Sequence, residues 1–142
     1  MLHNFYSFNN VLMAFFSPYV LTVLCMVVLD LLWFSVSYPL LYKKEMAHLL
    51  AEKVTMFPAV LFYLVFSFGM YIFVLKPGFD QQHSLFHVVL LGMFLGFLAY
   101  TTYNFTNQAT LKDWPVLVTI IDSIWGAVVA GVAACIVYSI TR

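Results

Sequence analysis

Four long apolar runs organise this chain, each closed by polar or helix-breaking residues. The first begins at Pro18, reads PYVLTVLCMVVLDLLWFSVSYPLLY, and stops at Lys43, Lys44 and Glu45. The second, Phe57 to Leu75, carries Pro58 in its first turn, where a missing N–H costs little, and meets a stop signal at Lys76-Pro77-Gly78. The third starts near Ser84 and continues through polar, helix-compatible sequence to Thr110, and the fourth runs from Pro115 to Ile140, just before Arg142. About 20 residues cross a hydrocarbon core, so each run is long enough to span. The pattern predicts an all-α membrane protein, a four-transmembrane-helix bundle with helices over about 18–42, 57–75, 84–110 and 115–140.

The opening stretch, MLHNFYSFNNVLMAFFS, has neither a cationic n-region nor a small-residue cleavage site, so it reads as an interfacial segment and not as a removable signal. Its Phe5, Tyr6 and Phe8, with Tyr19, suit the headgroup boundary. The loops are short and no low-complexity linker interrupts the chain, so residues 1–142 are expected to form a single transmembrane domain.

Composition agrees with lipid as the solvent: 64% of the residues are hydrophobic and 8% charged, far from a soluble domain. Six acidic and six basic side chains cancel, leaving no long-range field to attract nucleic acid. Cys25 and Cys135 sit inside apolar runs and read as small packing residues. Lys43, Lys44, Lys53 and Lys112 fall in the first and third loops, against Lys76 and Arg142 on the opposite side. The positive-inside rule therefore places both termini outside and those two loops in the cytoplasm, a margin narrowed by Glu45 and Glu52 only if acids are counted.

Two carboxylates interrupt the apolar spans. Asp30 lies some eight residues before the loop-side end of helix 1 and Asp122 some seven after the start of helix 4, which places each roughly 10 to 12 Å deep in the same half of the membrane. No intramembrane Lys or Arg is available to pair them, so they must face the bundle interior and meet neutral donors. Helix 3 supplies these at spacings of three and four: Tyr100, Tyr103, Asn104, Asn107 and Thr110. Each aspartate is followed three residues later by tryptophan, Asp30 by Trp33 and Asp122 by Trp125, and an i, i+3 pair shares a helix face. Because the two helices run in opposite directions, the indoles are expected to form the lid and floor of a small polar cavity. Structural bonding of helices at roughly 0.6 to 2 kcal/mol per contact is the competing explanation. Two carboxyls without a countercharge, however, exceed what packing alone requires.

Small residues recur four apart, as Gly92 and Gly96 on helix 3 and Gly126, Ala130 and Ala134 on helix 4, and predict close helix contacts within the bundle or between protomers. His83 and His87 share a face at i, i+4, yet without a third fixed ligand they read as solvated interfacial residues and no metal is assigned. His48 reads as surface. No phosphate-cradling glycine loop, nucleophile elbow or HExxH occurs, so no recognised soluble mechanism of catalysis is supported, and catalytic residues and cofactors stay unassigned.

The run Tyr103-Asn104-Phe105-Thr106-Asn107-Gln108-Ala109-Thr110-Leu111-Lys112-Asp113-Trp114-Pro115, followed by Asp122-Ser123-Ile124-Trp125-Gly126, resembles the small bacterial membrane proteins grouped as domain of unknown function 2177. Asp30 and Trp33, His48-Leu49-Leu50, Pro58-Ala59 and Phe62-Tyr63 extend the likeness from Val20 onward, and Tyr63 joins the candidate pocket lining with them. Asn104 stands where the family pattern has Asp, so if that position relays protons in relatives it cannot do so by ionising here. The resemblance implies four transmembrane helices, a bacterial inner-membrane location and an association with membrane fatty-acid modification, but no established activity. The leading expectation is a polar pocket, opening toward the cytoplasmic leaflet, that binds a small or amphipathic, lipid-like ligand. A membrane-embedded lipid-modifying enzyme using a buried Asp is one alternative. The other is an accessory subunit of a membrane complex, with membrane lipid and a homo-oligomeric or complex partner as its contacts.

Overall fold

The computed structural model describes the backbone of residues 2–142 and the side chains from Phe16 onward. The described residues are helical with short loops and contain no strand. The interfacial reading of Phe5, Tyr6 and Phe8 concerns side chains outside the described ones; the backbone there runs unbroken into the first span.

Helix α1 (Leu2–Ser37) passes into a π-helical turn, Tyr38–Tyr42, and one further turn, Lys43–Glu45. Helix α2 (Met56–Met70) passes into a second π-helical turn, Tyr71–Leu75, and a closing turn, Lys76–Asp80. Helices α3 (Leu85–Thr110) and α4 (Val116–Thr141) are regular. Four segments are therefore long and apolar enough to cross a membrane: Phe16–Glu45, Met56–Asp80, Leu85–Thr110 and Val116–Thr141.

Both π turns lie beside a proline. Pro39 sits within the first and Pro77 two residues past the end of the second. A proline withholds its N–H and crowds the carbonyl four residues back, and widening the turn relieves both. The second span thus runs five residues past Leu75, where the Lys76-Pro77-Gly78 signal predicted its end. The extension is held from outside: the Tyr138 hydroxyl lies 2.9 Å from the Gly78 carbonyl and 2.8 Å from that of His83. One hydroxyl proton serves these two acceptors, and Tyr138 is fully buried. A Cβ on Gly78 would meet Val88 Cγ2 at 2.8 Å and the Tyr138 ring at 3.1 Å, so glycine is what lets the ring close on this backbone.

The α3–α4 pair is the most intimate contact in the fold. A Cβ on Gly92 would stand 2.8 Å from Ala134 Cβ, and one on Gly96 would collide with the Gly126 carbonyl. The small-residue stripes are thus used within the bundle, bringing the two backbones together as close packing in lipid requires. α1 packs against α4 and α2, and the main core gathers Met70, Val74, Leu75, Val88, Ala134, Val137 and Tyr138 at the end where the termini emerge. A smaller cluster of Leu41, Tyr42, Met46 and Val118 closes the end bearing the 46–55 loop. Cys25 and Cys135 are unpaired, and Cys25 packs against the core.

Candidate functional site

The Asp-x-x-Trp motifs of α1 and α4 meet face to face. Because the helices are antiparallel, the aspartate of each comes level with the tryptophan of the other. Trp125 Nε1 donates to Asp30 Oδ1 at 2.8 Å. On the other side the link is indirect: Trp33 Nε1 donates to the Tyr42 hydroxyl at 3.2 Å, and that hydroxyl donates to Asp122 Oδ1. Between the two links the indoles stack, with centroids 4.5 Å apart and planes 8° from parallel. The rings therefore close on each other, whereas the expected lid and floor would have stood apart with a cavity between them. Offset stacking of two indoles contributes about 0.5 to 1.5 kcal/mol beyond their area.

Tyr42 was not singled out by its sequence position, at the polar end of the first run. In an uninterrupted α-helix at about 100° per residue, it would stand about 120° around the axis from Asp30. The π turn containing Pro39 closes each bond over five residues instead of four and takes up part of that rotation. Pro39 inside an apolar run was the available signal. Tyr42 is buried, as is the Ser37 that precedes the turn, whose hydroxyl donates to the Trp33 carbonyl at 2.8 Å.

α2 and α3 complete the cluster. The Tyr63 hydroxyl faces Asp30, and the Asn104 side chain faces Asp122. Tyr100 lies over Gly126, where any Cβ would strike its ring, and it receives Phe62 and Phe66 edge-on at 6.3 and 6.5 Å. The close α3–α4 approach at Gly96 thereby sets the height of both Tyr100 and Asn104. Asp30 is 2% exposed and Asn104 0%. Asp122, Trp33, Tyr63, Tyr100, Asn107 and Trp125 are half-buried, so the cluster has an open edge.

Of the ten candidate residues, the structure gathers Asp30, Trp33, Tyr63, Tyr100, Asn104, Asp122 and Trp125, with Asn107 one turn beyond Asn104. Tyr103 and Thr110 are turned away. Tyr103 is 59% exposed and meets Trp114 edge-on at 6.0 Å, and the Thr110 hydroxyl returns to the Thr106 carbonyl at 2.7 Å. Spacings of three and four sweep a broad sector of a helix, and the glycine stripe fixes which part of it meets α4.

Several polar atoms in this region lack protein partners. Asn104 Nδ2 donates to the Tyr100 carbonyl at 3.0 Å, which fixes the amide's orientation and leaves its buried Oδ1 unpaired. Asn107 Nδ2 is buried and unpaired as well, together with the hydroxyls of Thr101 and Ser67. Such groups are few in native proteins and each calls for an occupant or a reason. Among the described residues no cation lies against either aspartate, and the ion pair is Lys76 with Asp80, at the opposite end. There, the His83 and His87 rings lie with centroids 4.2 Å apart and planes tilted by 43°, and no group of three metal-ligating side chains occurs among the described residues. A cleft of about 810 Å³ also opens at that end, lined by Leu21, Lys76, Phe79, Tyr138 and Arg142 among others.

Set against known families, residues 15–139 match the family described as "Predicted membrane protein (DUF2177)". The chain belongs to that family. The match takes in both Asp-x-x-Trp motifs, the Tyr63 helix and the polar half of α3, so the whole cluster lies within the DUF2177 region. No curated protein and no solved structure matches this DUF2177 chain.

Proposed function

We propose that this protein is a membrane-embedded binding protein whose Asp30–Asp122 cluster holds the polar part of a small or amphipathic ligand through hydrogen bonds. The observation that carries the reading is the pair of unpaired buried amide atoms, Asn104 Oδ1 and Asn107 Nδ2, one helical turn apart beside two carboxyls that have no countercharge. A purely structural clamp would have every such atom satisfied by a neighbour, because an orphaned polar group in hydrocarbon costs several kcal/mol. The half-buried faces of Asp122 and Asn107 support entry from the side. The lysine distribution supports an inner-membrane orientation with both termini outside, so that the open edge would meet the cytoplasmic leaflet.

Native mass spectrometry of the chain released from detergent tests this. Wild type is expected to carry a bound small molecule that Asp30→Asn and Asp122→Asn lose while remaining folded and monodisperse. Equal adducts in all three, or none in any, would leave the cluster with a packing role only.

A further inference from the structure

The cluster's hydrogen-bond inventory is one-sided. Most of its donors are engaged: Trp125 Nε1 and the Tyr63 hydroxyl face Asp30, Tyr42 donates to Asp122, Trp33 to Tyr42, and Asn104 Nδ2 to the Tyr100 carbonyl. What is left over is mostly acceptor capacity. Each carboxylate offers about four lone-pair sites, and the fully buried Asn104 adds an unpaired Oδ1. Against this acceptor surplus stand Asn107 Nδ2 and the hydroxyls of Thr101 and Ser67, the buried donors here without a partner. An anionic head would find acceptors facing its own lone pairs.

Charge points the same way. Two aspartates within interaction range of each other in a low-dielectric site have no Lys, Arg or His against them among the described residues. A buried carboxylate without a countercharge is strongly disfavoured, and a cation that enters with its own donors removes that penalty. The surroundings are aromatic: the stacked Trp33–Trp125 pair, and Tyr63 and Tyr100 with Phe62 and Phe66 against them. Such π faces attract a cation further.

On the ligand-binding reading above, we infer that the occupant is a protonated amine carried on an apolar chain, with its N–H groups directed at Asp30, Asp122 and Asn104 Oδ1 and its chain leaving by the half-buried Asn107 edge. An aminolipid head and a free long-chain amine share this chemistry.

The test uses the full chain in detergent, with dodecylamine and dodecan-1-ol as probes of equal chain length. Binding is followed by native mass spectrometry, by thermal stability, and by intrinsic tryptophan fluorescence of the unmodified protein. Dodecylamine is expected to bind, raise the Tm and perturb the fluorescence, whereas dodecan-1-ol does none of these. The D30N/D122N double variant should bind dodecylamine at least about tenfold more weakly. In nanodiscs of mixed lipid, selective retention of phosphatidylethanolamine over phosphatidylglycerol would identify a lipid source, and indifference between them with dodecylamine still bound would identify a free amine. Equal binding of dodecan-1-ol, dependent on the aspartates, would overturn the amine while leaving the binding site intact. Failure of both probes to perturb the unmodified protein, or binding indifferent to the aspartates, would overturn both.

Discussion

Trp33 and Trp125, on antiparallel helices, stack with centroids 4.5 Å apart and planes 8° from parallel, and each is tied to the carboxyl that precedes the other. The tie from Trp125 is direct and the tie from Trp33 passes through Tyr42. Two copies of the same four-residue pattern thus interlock α1 with α4 about a local near-twofold relation. The interlock places the carboxyls, and the close α3–α4 contact places the amides that border them.

Tyr42→Phe removes the hydroxyl that accepts from Trp33 and donates to Asp122 while preserving the ring. The variant is expected to lose about 1 to 2 kcal/mol of stability, since two partners are stranded at once. Denaturant titration in mixed micelles measures this, and Tyr38→Phe, altering an exposed hydroxyl in the same π turn, is the control with little expected loss.

Gly96→Leu forces a side chain onto the Gly126 carbonyl. Separating α3 from α4 should cost about 1 to 3 kcal/mol or more and displace Tyr100 and Asn104 from the carboxyls. The same substitution at Gly69, which has open space where a Cβ would stand, should leave the Tm nearly unchanged.

Tyr138→Phe strips the hydroxyl that holds the Gly78 and His83 carbonyls. The loss is expected to be about 1 to 3 kcal/mol. Amide hydrogen exchange should rise selectively around Lys76–Asp80 while the protection of α3 is retained.

The four spans were legible because a hydrocarbon thickness sets a minimum run of apolar residues, and the chain contains four such runs. The Asp-x-x-Trp spacing also carried real information, since i, i+3 pairs must share a helix face. What spacing could not reveal was rotation and its local changes. Tyr42 joins the cluster because a proline-bearing π turn alters the helical phase between Asp30 and itself. Tyr103 and Thr110 miss the cluster because the contact made by Gly92 and Gly96, a tertiary fact, chooses which edge of the polar sector faces α4. The second span outlasts its Lys76-Pro77-Gly78 signal for a related reason: Tyr138, sixty residues later in the chain, supplies the hydrogen bond that a proline turn needs.

On the proposed reading, the two halves of the interlock act as one site. A double-mutant cycle between Asp30→Asn and Tyr42→Phe tests it most directly, because these residues belong to different links and are joined through the stacked indoles and the nearby charge of Asp122. A coupling of at least about 0.5 kcal/mol in unfolding free energy is expected. Effects that add to within about 0.3 kcal/mol would mean that each carboxyl is satisfied on its own, and would contradict it.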